Sequence, residues 1–179
     1  AALKHSDIEV VSFEPSTSNL RILSRNIFIN NLENKIKINQ FPLTKTTNNY
    51  SLFRESKFGE GESLNSFDCE LDFEGKKINS INSYKIFGTS INYLLDKNIL
   101  EIPNYIKIDV DGIEHLILEG GSNYLQNPSI KSLSIELNEN YDQQFKFVIK
   151  IMKDKGFKVK CKKRNEKLPI YKNKDFLKI

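Results

Sequence analysis

Cysteines and long apolar runs are both scarce in this chain of 179 residues. Its two cysteines, Cys69 and Cys161, stand alone, with no CxxC or CxxH spacing around them. We therefore expect reduced thiols in a cytoplasmic protein rather than a disulfide-stabilised secreted domain. No apolar stretch approaches the roughly 20 residues that span a bilayer. The first residues also lack the apolar core of a signal peptide.

Arginine is scarce as well, with 4 arginines against 23 lysines, 20 asparagines and 22 isoleucines. A Lys/Asn/Ile bias of this kind follows from an AT-rich genome whatever the protein does, so the net charge of +4 argues little for a nucleic-acid partner. Residues 158–178 hold nine basic and two acidic residues, a balance of +7 that leaves −3 for the remainder. Such a tail can touch anionic surfaces, but we expect a solvated segment.

What the chain does contain is two acidic strand ends. The stretch 109–114 (Asp-Val-Asp-Gly-Ile-Glu) follows the apolar run 105–108 and precedes an amphipathic helical pattern. Far upstream, Glu14 closes the β-branched run 8–13. Ligands of open α/β sheets bind outside the carboxyl ends of the strands, where strand order reverses. The two acidic ends therefore predict a nucleoside-bearing cofactor with a reaction beside it.

Apolar periodicity predicts a single domain in which strands and helices alternate. The predicted elements are a strand over 8–13, a helix capped by Ser16 or Thr17, a strand over 36–41, a short helix capped by Thr89 or Ser90, a helix from Gly112, a strand over 132–137, a helix over 142–155 ended by Gly156, and an antiparallel pair at 157–161 and 168–171. Residues 44–88 are looser and predict an inserted hairpin region, in which 59–63 is a candidate lid.

The acid at the first strand end suits a ribose. A carboxylate offers two acceptor oxygens to a vicinal diol, so Glu14 is the predicted ribose ligand. The alternative is a solvent-facing glutamate before a turn. Gln40, Phe41 and Pro42 end the next strand, where an adenine would lie in this architecture. Phe41 either stacks on that base or fills the core.

Asp109 lies at the predicted switch point, and three roles are open for it. It orients a substrate, takes a proton from a substrate hydroxyl as a general base, or only binds backbone amides. Asp111 and Glu114 have the spacing of a capping box, which satisfies free amides at a helix start. A substrate role for Glu114 stays open beside that structural one.

Glu136 and Asn138 lie at the end of the strand predicted at 132–137 and are expected to border the pocket of the substrate. Oxygen-rich clusters suit Mg²⁺. A metal site would draw on Asp109, Asp111, Glu114, His115 or Glu136, but we expect the protein to use no metal.

In this order, these residues resemble the FkbM family of S-adenosylmethionine-dependent methyltransferases. The resemblance lies in residues 11–15 (V-x-F-E-P), 26–32 (N-x-x-x-N-x-L), 90–96, 106–114 (I-K-I-D-V-E-G-x-E, with Asp111 in place of the usual Glu), 118–121 (L-x-G-A) and 134–136. It implies a Rossmann-like class I methyltransferase fold of the α/β class, with a mostly parallel sheet between helices. It also implies that S-adenosylmethionine is the cofactor.

The resemblance also assigns roles to single residues. The implied cofactor ligands are Phe13, Glu14, Pro15, Gln40, Phe41, Pro42 and Asp109. The implied catalytic residues are Asp109 and Glu114, and the implied substrate ligands are Asp111, Glu136 and Asn138.

One part of the family pattern has no counterpart in this chain. The family opens with a strand and a D-x-G-A-N-x-G loop that wraps the methionine part of the cofactor. That strand lies between the strands ending here at Glu14 and Asp109, so its absence would leave an empty slot between them. Buried unpaired backbone groups cost roughly 1–3 kcal/mol each. We therefore expect residues 1–179 to be one methyltransferase domain without its first strand, belonging to a longer protein or having the slot filled by another segment.

The expected reaction is transfer of a methyl group to an oxygen of a sugar or natural product, an acceptor class that comes from the resemblance alone. A nucleic-acid methyltransferase is one alternative, although 109–112 lacks the N/D-P-P-Y/F motif of enzymes that methylate base amino groups. A nicotinamide-dependent dehydrogenase is another, and it needs an upstream glycine fingerprint. The third is a non-catalytic module that binds a partner. Homo-oligomerisation stays open.

Overall fold

The computed structural model describes residues 1–162 and 176–178 of the chain. Helices and strands alternate through most of this part, which gives a mixed α/β fold. The elements are β1 (Val10–Phe13), α1 (Thr17–Ile29), β2 (Ile36–Asn39), β3 (Asn49–Glu55), β4 (Ser66–Phe67), β5 (Asn82–Gly88), α2 (Ile91–Asp96), β6 (Tyr105–Ile108), α3 (Glu114–Gly120), β7 (Ser132–Asn138), α4 (Asp142–Asp154) and β8 (Phe176–Lys178).

Two parallel strand pairs form the framework of the described chain. β1 pairs with β2 from Val10↔Ile36 onward, and β6 pairs with β7 from Tyr105↔Ser132 onward. The pairs lie in separate small sheets, so the described residues do not form one continuous, mostly parallel sheet. The reason is that β1 and β6 are not hydrogen-bonded to each other within this part of the chain.

Residues 49–88 form an antiparallel sheet with the strand order β4-β3-β5. β3 and β5 pair along their whole length, from Asn49↔Gly88 to Glu55↔Asn82. Phe53 and Phe67 project from this sheet into the hydrophobic cluster that contains Ile108 and Ile135. The inserted region therefore packs on the β6–β7 unit and shares its core.

Local signals in the sequence placed the helices well. Ser16 caps α1 by accepting from the Asn19 N–H (3.5 Å), and Ser90 caps α2 by accepting from the Tyr93 N–H (3.2 Å). Val148 and Met152 form the buried stripe of α4. Gly156 follows this helix with a φ of +85°, a conformation that glycine adopts at little cost. The predicted caps of α1 and α2 and the end of α4 before Gly156 are confirmed, whereas the helix predicted from Gly112 begins at Glu114.

The prediction for the C-terminal part was wrong at residues 157–161, which do not form a strand. In the described residues, β7 has the antiparallel neighbour β8, with Glu136 opposite Lys178 and Asn138 opposite Phe176. The other predicted partner, 168–171, lies outside the described residues. In the part that is described, no helix has the length and apolarity to cross a membrane.

Candidate functional site

A cavity of about 220 Å³ lies where β6 and β7 end. Because these strands are parallel, their carboxyl ends share one edge of the sheet. Asp109 directly follows β6, and β7 ends with residues 136–138. The lining residues are Phe73, Asp109, Asp111, Gly112, Glu114, Glu136, Asn138 and Gln144. The cavity thus brings together five residues singled out in the sequence: Asp109, Asp111, Glu114, Glu136 and Asn138.

The loop between β6 and α3 has an unusual backbone. Asp111 and Gly112 both have positive φ, at +59° and +126°. The left-handed region costs a non-glycine residue roughly 1–2 kcal/mol, although aspartate tolerates it better than most. At Gly112 a Cβ atom would lie 2.9 Å from the carbonyl carbon of Asp72. Glycine is therefore required at 112 both for its conformation and for the close approach of the 72–73 backbone.

Glu114 is buried beneath this loop, with only 3% of its surface exposed. Its carboxylate accepts from the N–H groups of Val110 (3.2 Å) and Gly112 (3.1 Å), and from Nε2 of Gln144 (2.8 Å). Burial raises the pKa of Glu114 to about 7, even though the backbone donors act in the opposite direction. Near neutral pH the group is therefore poised between its two protonation states.

The predicted capping box is wrong. The N-cap of α3 is Ile113, which makes no side-chain bond to the helix, and Glu114 is the first helical residue. The Glu114 carboxylate reaches back into the loop rather than to a cap residue. Asp111 accepts instead from the N–H of Leu64 (2.7 Å), in the inserted region. Burial raises the pKa of Asp111, the Leu64 bond lowers it, and the charge of Asp109 raises it further.

Asp109 is more accessible than its neighbour Glu114. Its side chain is 35% exposed and forms an ion pair with Lys107. Of the two residues predicted to be catalytic, Asp109 thus has the more exposed side chain.

Asn138 joins the end of β7 to the inserted region. Its Nδ2 donates to the carbonyl of Phe73 (3.0 Å), while its Oδ1 accepts from the Asn140 N–H (3.0 Å). The 72–76 turn that carries Phe73 is itself held by Asp72, whose Oδ1 accepts from the N–H groups of Glu74 and Lys76. Of the inserted region, therefore, it is this turn that forms a wall of the cavity.

The candidate lid, residues 59–63, is attached to α1. Asn19 accepts from the Gly61 N–H (2.8 Å) and donates to the Glu62 carbonyl (3.1 Å), and Arg21 pairs with Glu60 (3.3 Å). Because Leu64 follows directly and binds Asp111, this loop connects the helix after β1 to the loop after β6. It does not contribute to the cavity lining.

The predicted cofactor end lies at β1 and β2, and its residues do not line the cavity. Oε1 of Glu14 accepts from the Ser16 N–H (2.9 Å). Burial raises the pKa of Glu14, whereas hydrogen bonds from Ser16 and Asn19 lower it. The rings of Phe13 and Phe41 meet edge to face with centroids 5.6 Å apart. Among the remaining predicted ligands, Gln40 is exposed, Pro15 is half-buried and Pro42 is buried.

The alternative metal site, among Asp109, Asp111, Glu114, His115 and Glu136, is not supported in the described part of the chain. Within the described ranges, no group of three or more His, Cys, Asp or Glu side chains is arranged to hold a metal ion. His115 packs against Tyr141 and Phe147, and burial lowers its pKa.

Comparison with known proteins assigns the chain to a family. The family model described as the methyltransferase FkbM domain matches residues 4–159. The chain belongs to the FkbM methyltransferase family. The resemblance carried by the sequence motifs is thereby confirmed.

The solved structure of methyltransferase FkbM from Methylobacillus flagellatus KT is 15% identical to this chain, with a TM-score of 0.47. That alignment covers 81% of this chain and 30% of the other, so this chain spans less than a third of that protein's length. No curated protein matched the chain.

In this FkbM domain, sequence reasoning missed three of the residues that line the cavity. Gly112 was expected only as a helix start, and Phe73 falls within the region 44–88 that was predicted to be an inserted hairpin. Gln144 was not singled out, although a signal existed. It lies four residues before Val148 and eight before Met152, on the buried stripe of α4. A glutamine on an apolar stripe is buried only with a partner, and that partner is the loop after β6.

Proposed function

We propose that this FkbM domain takes part in the transfer of a methyl group from S-adenosylmethionine to a hydroxyl oxygen of a sugar or natural product. The observation that carries the proposal is the position of Asp109. Its partly exposed carboxylate lines a cavity at the carboxyl ends of two parallel strands, in a chain of the FkbM methyltransferase family. Such an edge is where α/β sheets place their ligands.

We infer that the two parallel pairs are parts of one Rossmann-like sheet. Each of β1 and β6 has one hydrogen-bonded neighbour among the described residues, so each has a second edge at which a strand can pair. A strand between them would bring the end of β1 and the end of β6 to one edge of the sheet. The cofactor end and the acceptor end would then face each other, as the proposed reaction requires.

The residues at the end of β1 suit the nucleoside of S-adenosylmethionine. The Glu14 carboxylate offers acceptors for the ribose hydroxyls. Phe41, with Phe13 against its ring, offers an apolar surface for adenine, and Pro15, Gln40 and Pro42 border the same end. The cofactor, when bound, supplies a methyl group on a positively charged sulfur.

At the ends of β6 and β7, the protein positions the acceptor hydroxyl and removes its proton. The acceptor oxygen has to lie in line behind the methyl carbon, and holding it there supplies much of the rate gain. Asp109 orients the acceptor hydroxyl and takes its proton. Asp111, Glu136 and Asn138 border the acceptor. The buried contacts of Glu114 favour a supporting role for it over direct contact with the acceptor.

Binding and turnover of single variants test this proposal. Titration calorimetry of the full natural protein with S-adenosylmethionine should show binding to the wild type, with an affinity about tenfold weaker in Glu14→Gln because one charged acceptor is lost. Glu33→Gln is the matched control, since Glu33 is exposed and follows α1. Absence of binding to the wild type would refute the proposed cofactor and favour the non-catalytic alternative.

Methyl transfer is followed by mass spectrometry with isotope-labelled S-adenosylmethionine and a panel of methyl glycosides. Asp109→Asn should lower turnover by about 10²-fold or more, in the range expected for a general base, with cofactor affinity less affected. Asp142→Asn serves as the control because Asp142 is likewise paired with a lysine at the surface. Equal turnover in the Asp109 and Asp142 variants would remove Asp109 from the mechanism.

A further inference from the structure

We propose that Gln144 is a positioning residue that holds the loop over residues 109–113 in its functional shape. The inference rests on the proposed function, because that loop carries Asp109 and Asp111 to the cavity. Gln144 lies in the first turn of α4 and is only 2% exposed. It reaches the loop from an element more than 30 residues away in sequence.

The contacts of Gln144 use the donor capacity of its amide. Nε2 lies 2.6 Å from the Gly112 carbonyl oxygen and 2.8 Å from Oε2 of Glu114. An amide nitrogen carries two hydrogens, and these two acceptors occupy both of them. Nδ1 of His115 lies at 3.3 Å and is a weaker third neighbour. Gln144 thus bonds the loop backbone and the carboxylate beneath it at the same time.

Glu114 connects Gln144 to further backbone groups of the loop. It accepts from the N–H groups of Val110 and Gly112, so Gln144, Glu114 and the loop backbone form one buried hydrogen-bonded set. The loop requires such support because Asp111, which is not a glycine, has a positive φ. Strained backbone of this kind persists only where its surroundings hold it.

The other supports of the loop come from the inserted region, through Leu64 on Asp111 and the 72–73 backbone against Gly112. Gln144 supports the loop from α4, the helix that follows β7. Without its donors, the Gly112 carbonyl and Oε2 of Glu114 would each lose a buried partner, and the loop could relax away from the geometry that places Asp109.

The first test is Gln144→Met, which keeps the length of the side chain and removes both N–H donors. Gln143→Met is the matched control, because Gln143 is the adjacent residue on α4 and is exposed. Amide hydrogen exchange measured by NMR should become about tenfold faster or more at Val110 and Gly112 in the Gln144 variant, as loss of a hydrogen bond to a charged group implies. Exchange at the core residue Ile135 should stay within about twofold of the wild type.

Swapping Glu114 and Gln144 distinguishes a positioning role of Gln144 from one in which its side chain only fills space. Glu114→Gln places two amides together, and Gln144→Glu places two carboxyl groups together. The double variant restores one acid and one amide with the same total volume. We expect Gly112 exchange and the affinity for S-adenosylmethionine in the double variant to lie closer to wild type than in either single variant, a coupling that independent sites do not show.

Two results would overturn the inference. The first is exchange at Val110 and Gly112 that is no faster in Gln144→Met than in Gln143→Met. The second is a double variant whose losses are the sum of those of the single variants. Failure of the wild type to bind S-adenosylmethionine would instead overturn the proposed function, and with it any role of Gln144 in that reaction. Unchanged loop exchange alongside normal cofactor binding would overturn the inference alone.

Discussion

Replacing Glu114 by glutamine should remove one large pH-dependent contribution to the stability of this domain. The carboxyl group is buried, and burial raises its pKa from the ordinary 4.5 to about 7. The folded protein therefore binds this proton more tightly than the unfolded chain does. The stability that results is fully present below about pH 4.5 and is lost as the pH rises through 7.

The size of the effect follows from the difference between the two pKa values. Each pKa difference of one corresponds to 1.36 kcal/mol, so this group accounts for roughly 3 kcal/mol of unfolding free energy between pH 4.5 and pH 7.5. Glutamine has nearly the same shape but does not titrate. The difference in stability between wild type and Glu114→Gln should therefore shift by roughly that amount across this range, in favour of the variant at the higher pH.

Urea unfolding at four pH values between 4.5 and 7.5 measures this difference. Other titrating groups with shifted pKa, such as Glu14 and His115, are present in both proteins and largely cancel. Glu33→Gln is the control, because Glu33 is exposed and its replacement should leave the difference flat. A Glu114→Gln difference that is equally flat would mean that Glu114 does not hold a raised pKa, and the buried set around it would have to be revised.

Two further variants test the backbone supports. Gly112→Ala should destabilise the fold by roughly 1–3 kcal/mol in urea unfolding, because it combines a positive φ with a contact to the Asp72 carbonyl. Gly156→Ala shares the positive φ but meets nothing within 4 Å, so an equal or larger loss there would refute the steric argument. Ser16→Ala should cost about 1–2 kcal/mol, since it removes the cap of α1 and a bond to buried Glu55. A loss no greater than that for the exposed Ser24→Ala would refute this assignment.

The loop after β6 shows how far motif reasoning can go. The pattern over 106–114 correctly identified a strand, a sharp turn and a helix, and it named the acids that meet at the cavity. It could not assign their partners. The spacing of Asp111 and Glu114 matches a capping box, yet Asp111 binds Leu64 and Glu114 binds the loop and Gln144. Spacing along a chain specifies which groups are near in sequence, whereas the bond from Leu64 to Asp111 joins residues 47 apart and the bond from Gln144 to Glu114 joins residues 30 apart.

Features that depend on neighbours within a few residues could be predicted from the sequence. The caps of α1 and α2, Ser16 and Ser90, are each one of the two residues expected there, and the apolar runs at 8–13 and 105–108 become β1 and β6. Three other features depend on contacts between distant segments: the 72–76 turn borders the cavity, β8 pairs with β7, and Gln144 bonds the acidic loop. These contacts depend on which segments, distant in sequence, pack against each other in the fold. A buried polar group such as the Gln144 amide is favourable there because the other segment supplies its hydrogen-bond partner.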